Sequence, residues 1–309
     1  MTAFSTTALP LHRGAGARRH HRLSLRDRTE VTAVLESLTT VTEPGISDLR
    51  VLELACGSGR LTLPLATAGH RVLTTDIDPQ ALVHLAAELA QHTRAVERIE
   101  LRTADMTAFS FEESFKAVCL STSSVTQVAP EERRRVLERA ADHLAPGGAL
   151  IVCTEYLLDE APAMASYSPD PRIRLDDEAD QDRRRVTLTW GEERYASELF
   201  VVPPAWISRT CKKLGLIVTY QHSRPDPVLP GRANAVVAAV AGLGYLAWVD
   251  WRLTLALVGA WGGLFTIVLA VGMRGMGGIM GRFSAAQTGL AAATVEMLEG
   301  IKEIKGFQA

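Results

Sequence analysis

The chain has no excess of charge of either sign: 33 lysines and arginines against 35 aspartates and glutamates leave a formal net charge of -2 over 309 residues. A protein that grips a phosphate backbone carries a basic face, so this balance sets nucleic-acid binding aside. The clusters Arg133 to Arg135 and Arg183 to Arg185 sit among acids and read as solvated faces. Metal-ligand spacing is also missing. The four cysteines, Cys56, Cys119, Cys153 and Cys211, are scattered, and three fall in or beside apolar runs, which suits free thiols in a reducing cytosol rather than a zinc site or disulfide frame. No apolar signal segment opens the chain. Residues 1–24, small and polar and then basic through Arg13, Arg18, Arg19, His20 and His21, are expected to be a mobile lead. No G-x-x-x-x-G-K-[ST] loop occurs, which excludes a P-loop ATPase.

What is present is VLELACGSGRLTLPLA, Val51 to Ala66, followed by RVLTTDIDPQAL, an order that reads as strand, glycine turn, helix, strand, acid. Gly57 and Gly59 lack a Cβ and let the backbone turn sharply and lie against a ligand, and Ala55 adds a third small position. The run Arg71 to Thr75 has the length and β-branched content of a buried strand and ends on Asp76, whose carboxylate can bind ribose hydroxyls. This geometry alone does not separate nicotinamide from other adenosyl cofactors, and Asp76 could instead cap the helix beginning near Pro79, although Asp78 is better placed for that. A dinucleotide fingerprint would carry a third glycine where this chain has Thr62.

The elements that follow are the third strand IELRTAD, the fourth strand Ala117 to Ser121, the polar loop Thr122 to Gln127, and His143-Leu144-Ala145-Pro146-Gly147-Gly148-Ala149-Leu150 leading into a fifth strand. With the glycine loop Glu53 to Gly59, they resemble the class I S-adenosylmethionine-dependent methyltransferase family over roughly Asp27 to Val240. The resemblance implies an α/β fold: a doubly wound, Rossmann-like methyltransferase sheet with helices on both faces. It implies S-adenosyl-L-methionine as cofactor, held by Glu53, Ala55, Gly57, Gly59, Asp76, Ile77, Asp105, Met106 and Ser121, with Asp105 at the adenine amino group. It also implies that the loop bearing Thr122, Ser123 and Gln127 faces the methyl group and the substrate.

A coarse reading places helices at Leu25 to Leu38, Arg60 to Ala68, Pro79 to His92, Pro130 to Leu144 and Pro204 to Leu214. The fifth strand runs Ala149 to Tyr156. An acidic and arginine-rich connection, Asp170 to Arg184, leads to a covering hairpin, Arg185 to Trp190 and Arg194 to Val202, and strand Leu216 to Gln221 returns to the sheet. The three expected domains are a lead at 1–24, a catalytic domain at 25–241 and a tail at 242–309.

The tail changes character. Leu253 to Met273 holds no ionised side chain and is long enough to cross a bilayer, with Trp248 and Trp251 placed as interfacial anchors. The region resembles part of the transmembrane domain of ATP-binding-cassette exporters, through the turn Trp251 to Leu255 and the helix-like Glu296 to Phe307, which implies an all-α transmembrane segment, a lipid bilayer and exporter subunits as partners, and a cytoplasmic catalytic domain tethered to the inner face of the membrane. Ala233 to Val240 is wanted both as the last, antiparallel strand and as part of a span; an intact sheet is the favoured expectation.

Methyl transfer from an activated sulfonium needs alignment of the nucleophile and exclusion of water. For an ammonium acceptor, Glu155, Tyr156 and His222 are the candidates to handle a proton; no metal site is expected. The acceptor is read as an amine of a small molecule or peptide natural product, the alternatives being O-methylation of a small hydroxylated metabolite and an inert membrane accessory protein.

Overall fold

The computed structural model describes residues 8–24, 29–41, 48–120, 124–241 and Gly259. By its internal contacts the chain divides into Met1–Val249 and Asp250–Ala309. The tail segment from 242 onward, including the expected span 253–273, lies outside the described residues apart from Gly259. Among the described residues no helix is long and apolar enough to cross a membrane.

In chain order the elements are β1 (Leu9–Pro10), α1 (Gly14–Ser24), α2 (Thr29–Val41), β2 (Arg50–Leu54), α3 (Thr62–Thr67), β3 (Arg71–Asp76), α4 (Pro79–Leu89), α5 (Thr93–Val96), β4 (Ile99–Thr103), β5 (Phe115–Leu120), α6 (Pro130–Asp142), β6 (Leu144–Leu157), β7 (Met164–Asp170), β8 (Ile173–Asp180), β9 (Arg183–Trp190), β10 (Glu193–Phe200), α7 (Pro204–Lys213), β11 (Leu216–Pro225) and β12 (Arg232–Ala241). Seven strands form one sheet in the order β11-β12-β6-β5-β2-β3-β4. The five from β6 to β4 run parallel, whereas β12 is antiparallel to both β6 and β11.

Alternation along the buried strands sends side chains to two covered faces. Leu150, Val152, Val237 and Ala239 pack with Val136 and Leu137 of α6 and Ile207 and Cys211 of α7. Their neighbours Ile151, Cys153, Val236 and Ala238 pack with Val31, Val34 and Leu38 of α2 and Leu61 and Leu65 beside Gly59. The expected doubly wound sheet is therefore present. The contested segment 233–240 is its strand β12, and it lies inside the sheet rather than at its edge, paired residue by residue from Arg232↔Leu157 to Val240↔Ala149. The Pro146-Gly147-Gly148 turn is absorbed into the start of β6, where a Cβ on Gly148 would sit 2.9 Å from the Phe115 carbonyl oxygen.

Three expectations need correction. The connection 170–184 supplies a strand, β8, and β7 precedes it, so the cover is a four-strand antiparallel meander, extended by β1 pairing parallel to β10. Charge hid β8, because its carboxylate Asp177 pairs across to the guanidinium of Arg184 on β9. Second, residues 8–24 are not a loose lead. Leu11 is fully buried, and together with Ala15 and Leu23 it covers Val186, Leu188 and Tyr195 on the inner face of the meander. Arg19 of α1 pairs with Glu193 at 3.1 Å and lies over Trp190, and Arg18 hydrogen-bonds His84 of α4. The helix thus bridges the meander and the seven-stranded sheet. Third, the arginine triplets are not purely solvated. Arg133 is buried, donating from Nε to the Val128 carbonyl at 2.8 Å with Phe200 against its guanidinium, and Arg184 is 2% exposed.

Arg184 belongs to the contact that seats the meander on the sheet. Asp177 of β8 is fully buried and takes both nitrogens of the Arg184 fork. Arg184 also reaches Glu155 of β6 at 2.9 Å. Arg232 of β12, 1% exposed, approaches Asp177 Oδ2 at 3.3 Å, donates to the Asp177 carbonyl at 2.8 Å and donates to the Pro162 carbonyl at 2.6 Å. Removing one partner of such a network leaves buried charge uncompensated. Asp177→Ala is therefore expected to cost about 3–5 kcal/mol in urea unfolding, whereas Asp176→Ala on the solvent face is expected to stay within about 0.5 kcal/mol.

Candidate functional site

The strand order reverses between β2 and β5, and the ends of these strands meet the glycine turn, which is where open α/β sheets bind ligands. Three alternate small positions adopt left-handed backbone: Ala55 at φ 53°, Gly57 at 55° and Gly59 at 81°. The two glycines have different reasons. A Cβ on Gly59 would lie 2.2 Å from Leu85 Cδ1, so its absence lets the turn close on α4; a Cβ on Gly57 would meet nothing within 4 Å, so Gly57 faces open space.

Asp76 ties that turn to the end of β3. Its Oδ2 accepts from the Gly57 N–H at 2.7 Å and its Oδ1 from the Asp78 N–H at 2.9 Å, while the residue is 8% exposed. Each carboxylate oxygen keeps a second acceptor position. The helix cap is the role of Asp78, which accepts from the Gln80 N–H at 3.0 Å, so the two aspartates have separate tasks. Ile77, between them, is 53% exposed, an apolar side chain presented beside a polar cradle. Asp105 follows β4, with one oxygen taken by the Thr107 N–H and hydroxyl, both at 2.8 Å. Met106 is half-buried against the sheet core.

Glu53 is placed differently from the expectation. It is fully buried below the turn, accepting from the Thr62 hydroxyl at 2.6 Å and the Thr74 hydroxyl at 3.3 Å. It braces β2, α3 and β3 and presents no atom to solvent, which makes it a positioning residue. The residue that broke the glycine fingerprint, Thr62, is its partner. Cys56 lies in the same turn, and burial followed by the charges of Glu53 and Asp76 pushes its thiol well up, so it remains protonated.

The acceptor-side candidates divide. Ser121, Thr122 and Ser123 lie outside the described residues; Gln127 ends a 3₁₀ helix, Ser124–Gln127, with its side chain exposed. Glu155 stands at the carboxyl end of β6, paired with Arg184. Tyr156 points to the opposite face by alternation and is half-buried. His222 is exposed on β11 and lines a cavity with Glu30, Cys153, Arg224 and Asn234, beside α2 rather than at the turn. The structure thus gathers Gly57, Asp76, Ile77 and Asp105 into one cradle and leaves His222 apart. Sequence reading missed His12, a half-buried ring near Glu155 whose Nε2 is shut off from solvent; within a basic, polar lead, only the apolar triplet Leu9-Pro10-Leu11 signalled that the segment was anchored.

Residues 51–148 match the model of a methyltransferase domain. The cypemycin N-terminal methyltransferase of a Streptomyces species is 36% identical to this chain over 107 residues, which is 34% of this chain and 42% of that protein, so the alignment spans about two-fifths of the relative's length. Among solved structures, an S-adenosylmethionine-dependent methyltransferase from Clostridium acetobutylicum superposes with a TM-score of 0.56 at 14% identity, covering 73% of this chain and all of that one. A glycopeptide N-methyltransferase in complex with S-adenosyl-L-homocysteine gives 0.51 at 23% identity, covering 68% and 87%. The fold around the matched residues is thus the Rossmann-like one of these solved structures.

The two glycines can be told apart by thermal unfolding. Gly59→Ala combines a left-handed L-residue with overpacking against Leu85 and is expected to cost roughly 2–4 kcal/mol. Gly57→Ala is expected to cost only about 1–2 kcal/mol, the left-handed penalty alone.

Proposed function

We propose that residues 25–241 form an S-adenosylmethionine-dependent methyltransferase acting on an amine nitrogen of a peptide or related natural product. The observation that carries this reading is the Asp76 carboxylate, nearly buried, anchored to the Gly57 amide, and bordered by the open face of Gly57 and the exposed Ile77. Those groups fit an adenosyl moiety: the free acceptor positions of Asp76 for ribose hydroxyls, Ile77 for an adenine face, and Asp105 for its amino group. S-adenosylmethionine, when bound, supplies a methyl group already activated by its sulfonium.

The protein's part is then alignment and exclusion of water. Gly57 lets the backbone lie close to the ligand, Glu53 and Thr62 hold the turn in that shape, and α1 with Leu11 packs on the meander. Nitrogen is favoured over oxygen as nucleophile because the relatives at hand include a peptide N-terminal and a glycopeptide N-methyltransferase. The expected bilayer tether of 242–309 and a cytoplasmic position for the catalytic domain are part of the same proposal, supported by the uncharged run Leu253 to Met273.

Calorimetric titration of the full chain with S-adenosyl-L-homocysteine tests the cofactor reading. Micromolar affinity, about 8 kcal/mol of binding free energy, is expected for the wild type, with at least a tenfold loss in Asp76→Ala and no heat with a nicotinamide dinucleotide. A folded protein that binds neither the homocysteine nor the methionine form would overturn it.

A further inference from the structure

Within the N-terminal segment, half-buried His12 has its Nε2 shut off from solvent, and the cradle does not use it. The Leu11 N–H donates to the Ala196 carbonyl at 3.1 Å, which fixes the segment on β10, and His12 follows directly. Its Nε2 is buried without a hydrogen-bond partner among the described residues, and its ring meets that of His20 edge-on at 5.3 Å. Burial pushes His12 down from 6.5 to about 3, His20 acts in the same direction, and Glu155 opposes them. The ring is therefore neutral, and its unpaired Nε2 is an acceptor, which requires the proton to sit on Nδ1.

The charged groups around it are accounted for. His20 comes from α1, where Arg18 and Arg19 are turned away to His84 and Glu193. Glu155 comes from β6, its charge offset by Arg184 of β9 at 2.9 Å. Asp226, after β11, lies near enough to Glu155 for their charges to interact, and burial pushes its carboxyl up. A buried acceptor left unpaired is costly and rare, so a donor arriving with a ligand is favoured. Because desolvation penalises an ammonium far more than a neutral amine, an acceptor so shut off from solvent favours the uncharged form.

We propose that His12 Nε2 accepts a hydrogen bond from the neutral α-amino group of a peptide substrate and aims its lone pair at the transferable methyl, while Glu155 faces the charge that develops on nitrogen. The proposal rests on the methyl-transfer reading above. The nitrogen lone pair forms the new N–C bond, the C–S bond breaks with its electron pair left on sulfur, and the product leaves as an N-methylammonium that gives its proton to water. An α-amine, with a pKa near 7.7–8.0, offers far more neutral form at neutral pH than a lysine amine near 10.4.

The test uses the full chain, S-adenosylmethionine at saturation, and two probes: trialanine, whose only amine is the α-amine, and Nα-acetyl-lysine, whose only amine is the ε-amine. At pH 7.5 trialanine is expected to be methylated with a kcat/KM on the order of 100-fold above Nα-acetyl-lysine. His12→Ala is expected to lower kcat/KM for trialanine about 30-fold, His12→Gln, whose amide oxygen can accept, to lose less, and both to keep S-adenosyl-L-homocysteine affinity within twofold. The rate is expected to rise with pH up to about 8, following the substrate amine, without a step near 6.5. Unchanged turnover in His12→Ala, loss of S-adenosyl-L-homocysteine affinity in both variants, or a cofactor-binding wild type that leaves trialanine unmethylated would each overturn the proposal. A wild type that does not bind S-adenosyl-L-homocysteine would instead bring down the methyl-transfer reading beneath it.

Discussion

The buried contact of Asp177 with Arg184 and Arg232 is the constraint on which the upper half of the molecule depends. It joins β8 and β9 of the meander to β6 and β12 of the sheet, and it does so with charges that have no solvent to fall back on. Apolar packing of the same area would hold the two sheets together but would tolerate sliding. A forked guanidinium on a carboxylate fixes direction as well as distance. Because Glu155 shares Arg184, the acid at the end of β6 is oriented by the same contact, and α1 is carried on the meander while Arg18 ties it to His84 of α4.

The lower half works by a division of labour among small and acidic residues. Glu53 and Thr62 spend their polarity inside the protein, holding the turn, while Asp76 spends half of its acceptor capacity on the Gly57 and Asp78 amides and keeps the rest outward. Gly59 serves packing and Gly57 serves approach. A single motif therefore contains residues of the fold and residues of the site, and sequence spacing does not mark which is which.

That explains how much was legible beforehand. Helices α4, α6 and α7 were readable because Pro stands at their first position, with Asp78 as the cap of α4, and strands β5 and β6 because Ala117 to Leu120 and Ala149 to Cys153 are unbroken apolar runs. The place of 233–240 followed not from composition, which suits a span equally, but from the neighbouring strand that its removal would expose. Strand β8 was not legible, since it is held by a cross-strand charge pair, Asp177 with Arg184, and a charged run resembles a loop until its partner strand is known; β7, short and polar, offered no clear alternation of its own. The N-terminal helix was hidden for a related reason: its arginines and histidines are read as solvated, and only tertiary contacts show Arg18 on His84 and His12 Nε2 shut off from solvent. Glu53 was assigned to the cofactor because it belongs to the motif, yet its burial makes it a brace.

The central claim is that the cradle of Gly57, Asp76, Ile77 and Asp105 holds an adenosyl group with its sulfur directed toward the end of β6. A crystal structure of the full chain with S-adenosyl-L-homocysteine tests this most directly. The account predicts ribose hydroxyls on Asp76, adenine against Ile77 and Asp105, and the sulfur on the Glu155 side of the turn. The adenosyl group lodged elsewhere, as in the cavity lined by His222 and Cys153, with Asp76 untouched, would contradict it.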